Sequence, residues 1–269
     1  MKRLVLALTS TVIALVLPSC LQSETTIHLQ KDGSGTLTEQ TTYGARMLAM
    51  LAQMSAVGGT TVKDPLADLS SPEKAKARAA TLGPGVTVEK STPYESGGNK
   101  GATVTYHFTD INKLTISPGD SMKNLSPMAA GAPATPAKPV AFTYTGGTLT
   151  VTMPAPPAAA ATPETPSVPG MPDMESPQMQ AMMKQMLADM KMSFKLVIEP
   201  GIAETDATHH DGNTITLMDL QMAKLLEKPE TLKKLSKAPK QDPAAALEFI
   251  KGLDGVKMES KQQISISVR

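Results

Sequence analysis

The chain has 269 residues, with 26 Lys and Arg against 25 Asp and Glu. It carries no net positive field and no basic block interleaved with aromatics, so a nucleic-acid surface is not expected. With no Trp, four Tyr and four Phe it has little material for stacking bases or sugar rings. The length suits one substantial domain or two small ones, and the single Cys excludes a disulfide within the chain.

Lys2 and Arg3 precede an apolar run from Leu4 to Leu17 that is interrupted only by Thr9, Ser10 and Thr11. A permanent span needs about 20 apolar residues to cross roughly 30 Å of hydrocarbon, so this shorter run behind a positive start is a targeting segment. It ends in Leu17-Pro18-Ser19-Cys20. That ending resembles the lipobox of bacterial lipoproteins, with Pro18 standing where the pattern has a small residue. The resemblance covers residues 1–20. It implies a signal peptide over 1–19, cleavage before Cys20, lipid on Cys20, and a membrane as partner through that lipid. Each buried methylene contributes about 0.8 kcal/mol, so two or three acyl chains hold a protein where a single one does not. By the same resemblance, Leu21 rather than an aspartate after the cysteine implies the outer membrane where the organism has one. Otherwise it implies the outer face of the cytoplasmic membrane.

Beyond Cys20, Ile27 with Leu29 and the stretch from Thr36 to Thr42 read as two strands joined by the turn Lys31-Asp32-Gly33-Ser34-Gly35. A phosphate cradle in that turn would need a helix N-terminus after it, and a second strand follows instead. A helix over 45–54 comes next, then one over 72–81 that Ser71-Pro72 starts with an N-cap and a proline at the first helical position. Val86 with Val88, and Val104 with Tyr106 and Phe108, predict further strands. Two Pro/Ala-rich stretches, Pro127–Pro139 and Pro154–Pro177, lack apolar periodicity and read as linkers. Between them Val140, Phe142 and Tyr144 alternate, Gly146-Gly147 follows, and Leu149, Val151 and Met153 alternate again, which predicts a hairpin with a two-residue turn. An isolated hairpin is marginal in water, so this one must pair with a neighbouring sheet.

After the second linker, Ser176-Pro177 predicts a helix over 178–191, and Met192, Phe194, Leu196 and Ile198 predict a strand. Asp211-Gly212 marks a turn, helices are expected over 218–227, 230–237 and, from Asp242-Pro243, over 243–253, and Ile264, Ile266 and Val268 predict a last strand. The expected fold is α+β: an antiparallel sheet with amphipathic helices packed on one face, plus Pro/Ala-rich linkers. The expected organisation is a signal peptide over 1–19, an N-terminal α+β part over 20–126, a linker over 127–139, a hairpin over 140–153, a Pro/Ala/Met linker over 154–177 and a C-terminal α+β part over 178–269.

The strand Phe194 to Ile198, the Pro200-Gly201 step and the return strand after Asp211-Gly212-Asn213 resemble the extracellular domain of LppM-type bacterial lipoproteins. Leu217-Met218 stands where that pattern has an aromatic. The resemblance implies an envelope-exposed α+β domain with no established enzymatic chemistry.

Met171, Met174, Met179, Met182, Met183, Met186, Met190 and Met192 crowd one segment of a chain with 18 methionines. Thioethers are soft ligands, so Met179, Met182, Met183, Met186 and Met190 could hold Cu(I). Their three-and-four spacing is also that of one helical face, which usually packs into a core, and Met47, Met50, Leu51 and Met54 repeat it. A third reading is an adaptable apolar groove for a lipid or a partner helix. His209 and His210, with Asp206 and Asp211 nearby, have zinc-ligating side chains. Adjacent residues of a strand point to opposite faces, however, and Asp211-Gly212 favours a solvated turn. His28 and His107 stand singly in strands. There is no GxSxG, HExxH, CxxC, CxxCH or P-loop. No catalytic residue and no cofactor are nominated. The sequence favours a lipid-anchored envelope protein with a non-catalytic binding or structural domain. Its alternatives are a carrier of a lipid or other apolar ligand and a methionine-based Cu(I)-binding protein, and its partners are a membrane and an envelope protein or lipid ligand.

Overall fold

The structure is a computed structural model that describes residues 21–49, 52, 69–117, 138–154, 190–227, 249 and 251–269. Its first strand, β1 (Leu21–Leu29), alternates buried and half-buried residues along its whole length. It turns through Gln30 to Ser34 into β2 (Gly35–Tyr43), with which it pairs antiparallel from Leu21 opposite Tyr43 to Leu29 opposite Gly35. Helix α1 (Pro72–Leu82) starts where Ser71-Pro72 predicts, the Ser71 hydroxyl accepting from the Lys74 N–H at 3.4 Å. Strands β3 (Thr87–Ser96) and β4 (Asn99–Phe108) form the next hairpin, and β4 pairs with β2. A 3-10 turn, Ile111–Lys113, leads on toward β5 (Ala141–Thr145) and β6 (Thr148–Thr152). Gly146 and Gly147, at φ of 59° and 78°, make the two-residue turn between these strands.

The second half supplies β7 (Met190–Ile198), β8 (Ile202–Thr205), the short β9 (His210–Asp211), β10 (Thr214–Gln221), helix α2 (Met222–Glu227), β11 (Val256–Met258) and β12 (Gln263–Val268). The strands make two sheets. The larger runs β11-β10-β7-β1-β2-β4-β3, with β9 beside β10, and the smaller runs β5-β6-β12-β8. The hairpin over 140–153 thus finds its partner in β12, Leu149 opposite Ile266 and Val151 opposite Ile264.

Among the described residues the fold is mainly β with few helices. Three features differ from the sequence expectation. The larger sheet is mixed rather than wholly antiparallel, because β1 and β7 run parallel from Leu21 opposite Met190 to Leu29 opposite Ile198. Met190 and Lys191, expected at the end of a helix, are strand residues, held by Leu21 and Gln22 on one side and, for Lys191, by Gln221 on the other. Residues 218–221, expected to open a helix, continue β10, since Met218, Leu220 and Gln221 pair with β7 and the helix starts only at Met222. Both changes have one cause: pairing across the sheet outweighs a local apolar spacing that suits either structure. Of the expected helix over 45–54, residues 45–49 and 52 are described as helical; of that over 243–253, residues 249 and 251 are. The helix over 230–237 and both linkers between 127 and 177 lie outside the described residues, apart from 138, 139 and 154.

The parts on either side of the linkers share one core. A continuous cluster joins Ile27, Leu29 and Leu37 from the first hairpin, Tyr106 and Phe108 from β4, Phe194, Leu196 and Ile198 from β7, Leu149 and Val151 from β6, and Ile264 and Ile266 from β12. Ala75, Ala79 and Leu82 bring α1 into the same cluster. A smaller cluster of Leu225, Leu253 and Val256 ties α2 to the start of β11.

Candidate functional site

Most of the residues singled out by sequence fall in three places. Cys20, Met171, Met174, Met179, Met182, Met183 and Met186 lie outside the described residues, as do Met50, Leu51 and Met54. Met190 is the first residue of β7 and not the end of a helix. Met192, two residues on, is buried in the same strand.

The histidine turn is a solvated hairpin. His210 and Asp211 are the exposed strand β9, Gly212 makes the turn at φ 57°, and β10 returns beside them. Asp206 is engaged elsewhere: it accepts from the Ser265 N–H at 2.7 Å and from Lys261 Nζ at 3.0 Å. Hydrogen bonding by Ser265 and then by Lys261 holds its carboxyl below the ordinary carboxylate range. Among the described residues, no group of three or more His, Cys, Asp and Glu side chains is arranged to hold a metal ion. His28 Nδ1 lies 2.6 Å from Glu199 Oε1, tying β1 to the turn after β7. The Asp32 carboxylate accepts from both the hydroxyl and the N–H of Ser34, which lowers its pKa and closes the β1–β2 turn.

Two features were not legible in the sequence. The first is a buried carboxylate. Glu259 is 4% exposed, follows β11, and accepts from the Thr208 N–H at 2.8 Å, the Thr208 hydroxyl and the Lys261 N–H at 2.9 Å. Burial pushes its pKa up, but these bonds from Thr208 and Lys261, with one from Ser260, outweigh burial and hold it below its ordinary value. The Thr208 hydroxyl also lies 2.8 Å from the Ser260 hydroxyl. A carboxylate beside two hydroxyls has the outline of a base and a nucleophile. The bonds to Glu259 join the loops before β9 and β12 as a clip.

The second is a slot in the larger sheet, lined by Ser23 and Thr25 of β1, Met192, Ser193 and Phe194 of β7, Met218 of β10, and Ile116 with Ser117. Its free volume of about 10 Å³ admits one water molecule and no acyl chain. On the other face of β7 and β10 are two buried polar atoms without hydrogen-bond partners among the described residues, Ser193 Oγ and Asp219 Oδ1, on residues that pair directly. The second oxygen of Asp219 accepts from Gln221 Nε2 at 2.8 Å. Ser193 faces away from Met192 and Phe194 along the strand, and the apolar alternation that reveals the core gives no signal for it.

No family model matches the chain, and no curated protein matches it. Among solved structures, it is similar to the NMR structure of the folded domain of LppM from Mycobacterium tuberculosis. That similarity spans 78% of this chain and 88% of that one, at 12% identity and a TM-score of 0.33. This is the group that the segment from Phe194 to Asn213 resembles in sequence, and the similarity is too low to carry fold or function from that domain to this chain.

Proposed function

We propose that the protein is a cell-envelope protein anchored through lipid on Cys20, whose β-rich body binds or supports a partner without catalysis. The observation that carries this reading is the order of the chain at its first strand. The lipobox-like Leu17-Pro18-Ser19-Cys20 is followed at the next residue by β1, so the residue after the proposed cleavage and lipid site belongs to the sheet. The non-catalytic part of the reading is supported by the polar clusters. The carboxylates of Asp32, Asp206 and Glu259 are occupied by donors and held low, which suits turn and loop closure better than proton transfer. The location is the outer membrane where the organism has one, and otherwise the outer face of the cytoplasmic membrane.

Fractionation of the host tests the anchor. Wild-type protein is expected to stay with membranes through a high-salt wash and to leave them in detergent, whereas Cys20→Ala is expected in the soluble fraction. Retention of the alanine variant on membranes would overturn the reading. A second reading, a carrier of an apolar ligand, is favoured by Met192, Phe194 and Met218 around the slot, and opposed by the slot's size. Lipid recovered in stoichiometric amount from natively purified protein would establish it, and its absence would remove it.

A further inference from the structure

We infer that the end of the larger sheet nearest Leu21 lies directly against the bilayer surface, with no tether between anchor and body. This rests on the lipid anchor at Cys20 proposed above. Leu21 is 4% exposed and is fixed in the ladder on both sides, opposite Tyr43 of β2 and Met190 of β7. It therefore cannot move apart from the sheet. Consecutive Cα atoms are about 3.8 Å apart, so the residue carrying the acyl chains is one step from a rigid strand. A flexible linker of n residues would let the body stand off by roughly 5–6 Å × √n, and here n is zero.

The register identifies what shares that end. β1 and β7 start there and β2 and β10 finish there, and Lys100 of β4 pairs with Tyr43, which places the β3–β4 turn in the same row. The helical residues 45–49 join it, because the Ala45 N–H donates to Asn99 Oδ1 at 3.2 Å. α2 joins it too, since the Gln221 N–H donates to the Gly255 carbonyl. Among the described residues, the charged ones on the elements at this end are Arg46, Lys100, Lys191, Lys224 and Lys251 against Glu95, Glu227 and Asp254, a small positive excess. Among the described residues, the opposite end carries Asp32, Asp110, Glu199 and Asp211 against Lys31, Lys113 and Arg269, a small negative excess. A single attachment point leaves tilt free, and this charge difference favours the upright pose on an anionic surface. β1 has nine residues, so at about 3.3 Å per residue its far end at Leu29 stands roughly 26 Å from Leu21 in that pose. The bilayer, with anionic headgroups, is the partner that covers this end.

Cys20 is the only cysteine, and acylation blocks its thiol, so one introduced cysteine can be labelled selectively. Full-length protein purified from membranes, carrying Lys100→Cys or Asp32→Cys with a fluorophore, is reconstituted in phosphatidylcholine–phosphatidylglycerol vesicles whose headgroups bear a nitroxide quencher. Quenching at position 100 is expected to be several-fold stronger than at position 32, and to drop when a flexible Gly/Ser segment is inserted between Cys20 and Leu21. Equal quenching at the two positions in protein whose mass carries acyl chains would overturn the apposition and leave the anchor standing. A mass without acyl chains would overturn both.

Discussion

The two halves of β1 face different surroundings. At its far end Ile27 and Leu29 are wholly buried among Leu37, Leu196, Ile198 and the inner residues of the smaller sheet. Nearer Cys20 the same buried face presents Ser23 and Thr25, and on the other face of the neighbouring β7 Ser193 is buried with a hydroxyl that has no partner among the described residues. One strand thus runs from a dry core of aliphatic side chains into a slot lined by hydroxyls and methionines. The difference separates two tasks. The far half carries most of the apolar burial that stabilises the fold, while the near half trades some of that burial for polar groups.

Four substitutions sharpen or break that contrast. Leu196→Ala, in the dry half, removes a side chain with no exposure and is expected to cost about 2–5 kcal/mol in a denaturant melt. A cost near zero would mean that the two halves are not distinct. Next in size is the clip at Glu259, which lies outside both halves and joins the second-half loops. Glu259→Gln is expected to cost about 1–3 kcal/mol, because buried N–H and hydroxyl donors lose a charged acceptor. Its pH dependence has a definite sign. The folded-state pKa lies below the ordinary 4.5, so the contribution is present above that value and is lost as pH falls through the folded-state pKa. Wild type should therefore lose stability on acidification below about pH 4.5 more steeply than the glutamine variant.

Ser193→Ala, in the near half, is expected to act in the opposite sense from Leu196→Ala three residues along the same strand. It removes a buried hydroxyl that has no partner among the described residues, so stability should be unchanged or rise by up to about 1 kcal/mol. A loss as large as that of Leu196→Ala would show that the hydroxyl is engaged. Smallest is His28→Ala, which breaks a half-exposed pair with Glu199. Exposed pairs contribute about 0–1 kcal/mol, so its melt should nearly overlay that of wild type.

The far half was legible in the sequence because its signal is local. Alternation at Ile27–Leu29, Val104–Phe108, Met192–Ile198 and Ile264–Val268, and the Gly146-Gly147 turn, all depend on neighbours a few residues apart. What sequence could not supply was the partner of each strand. The parallel union of β1 with β7 joins residues about 170 apart in the chain and determines which end of the sheet Cys20 adjoins. The same long-range pairing turned Met190 and residues 218–221 from expected helix into strand. Glu259 was illegible for a related reason: one acid among 25 gains meaning only when the loop holding Thr208 is folded onto it. The edge strand β3 was only half visible, since beyond Val88 it runs through mostly exposed residues with no alternating apolar face.

The central claim, that Cys20 carries the anchor at the foot of the sheet, is tested most directly by the intact mass of the protein taken from the membrane fraction of its host. The account predicts a chain that begins at Cys20 and carries acyl chains, with that added mass absent from Cys20→Ala. A wild-type chain that keeps residues 1–19, or one that begins at Cys20 without added mass, would contradict it.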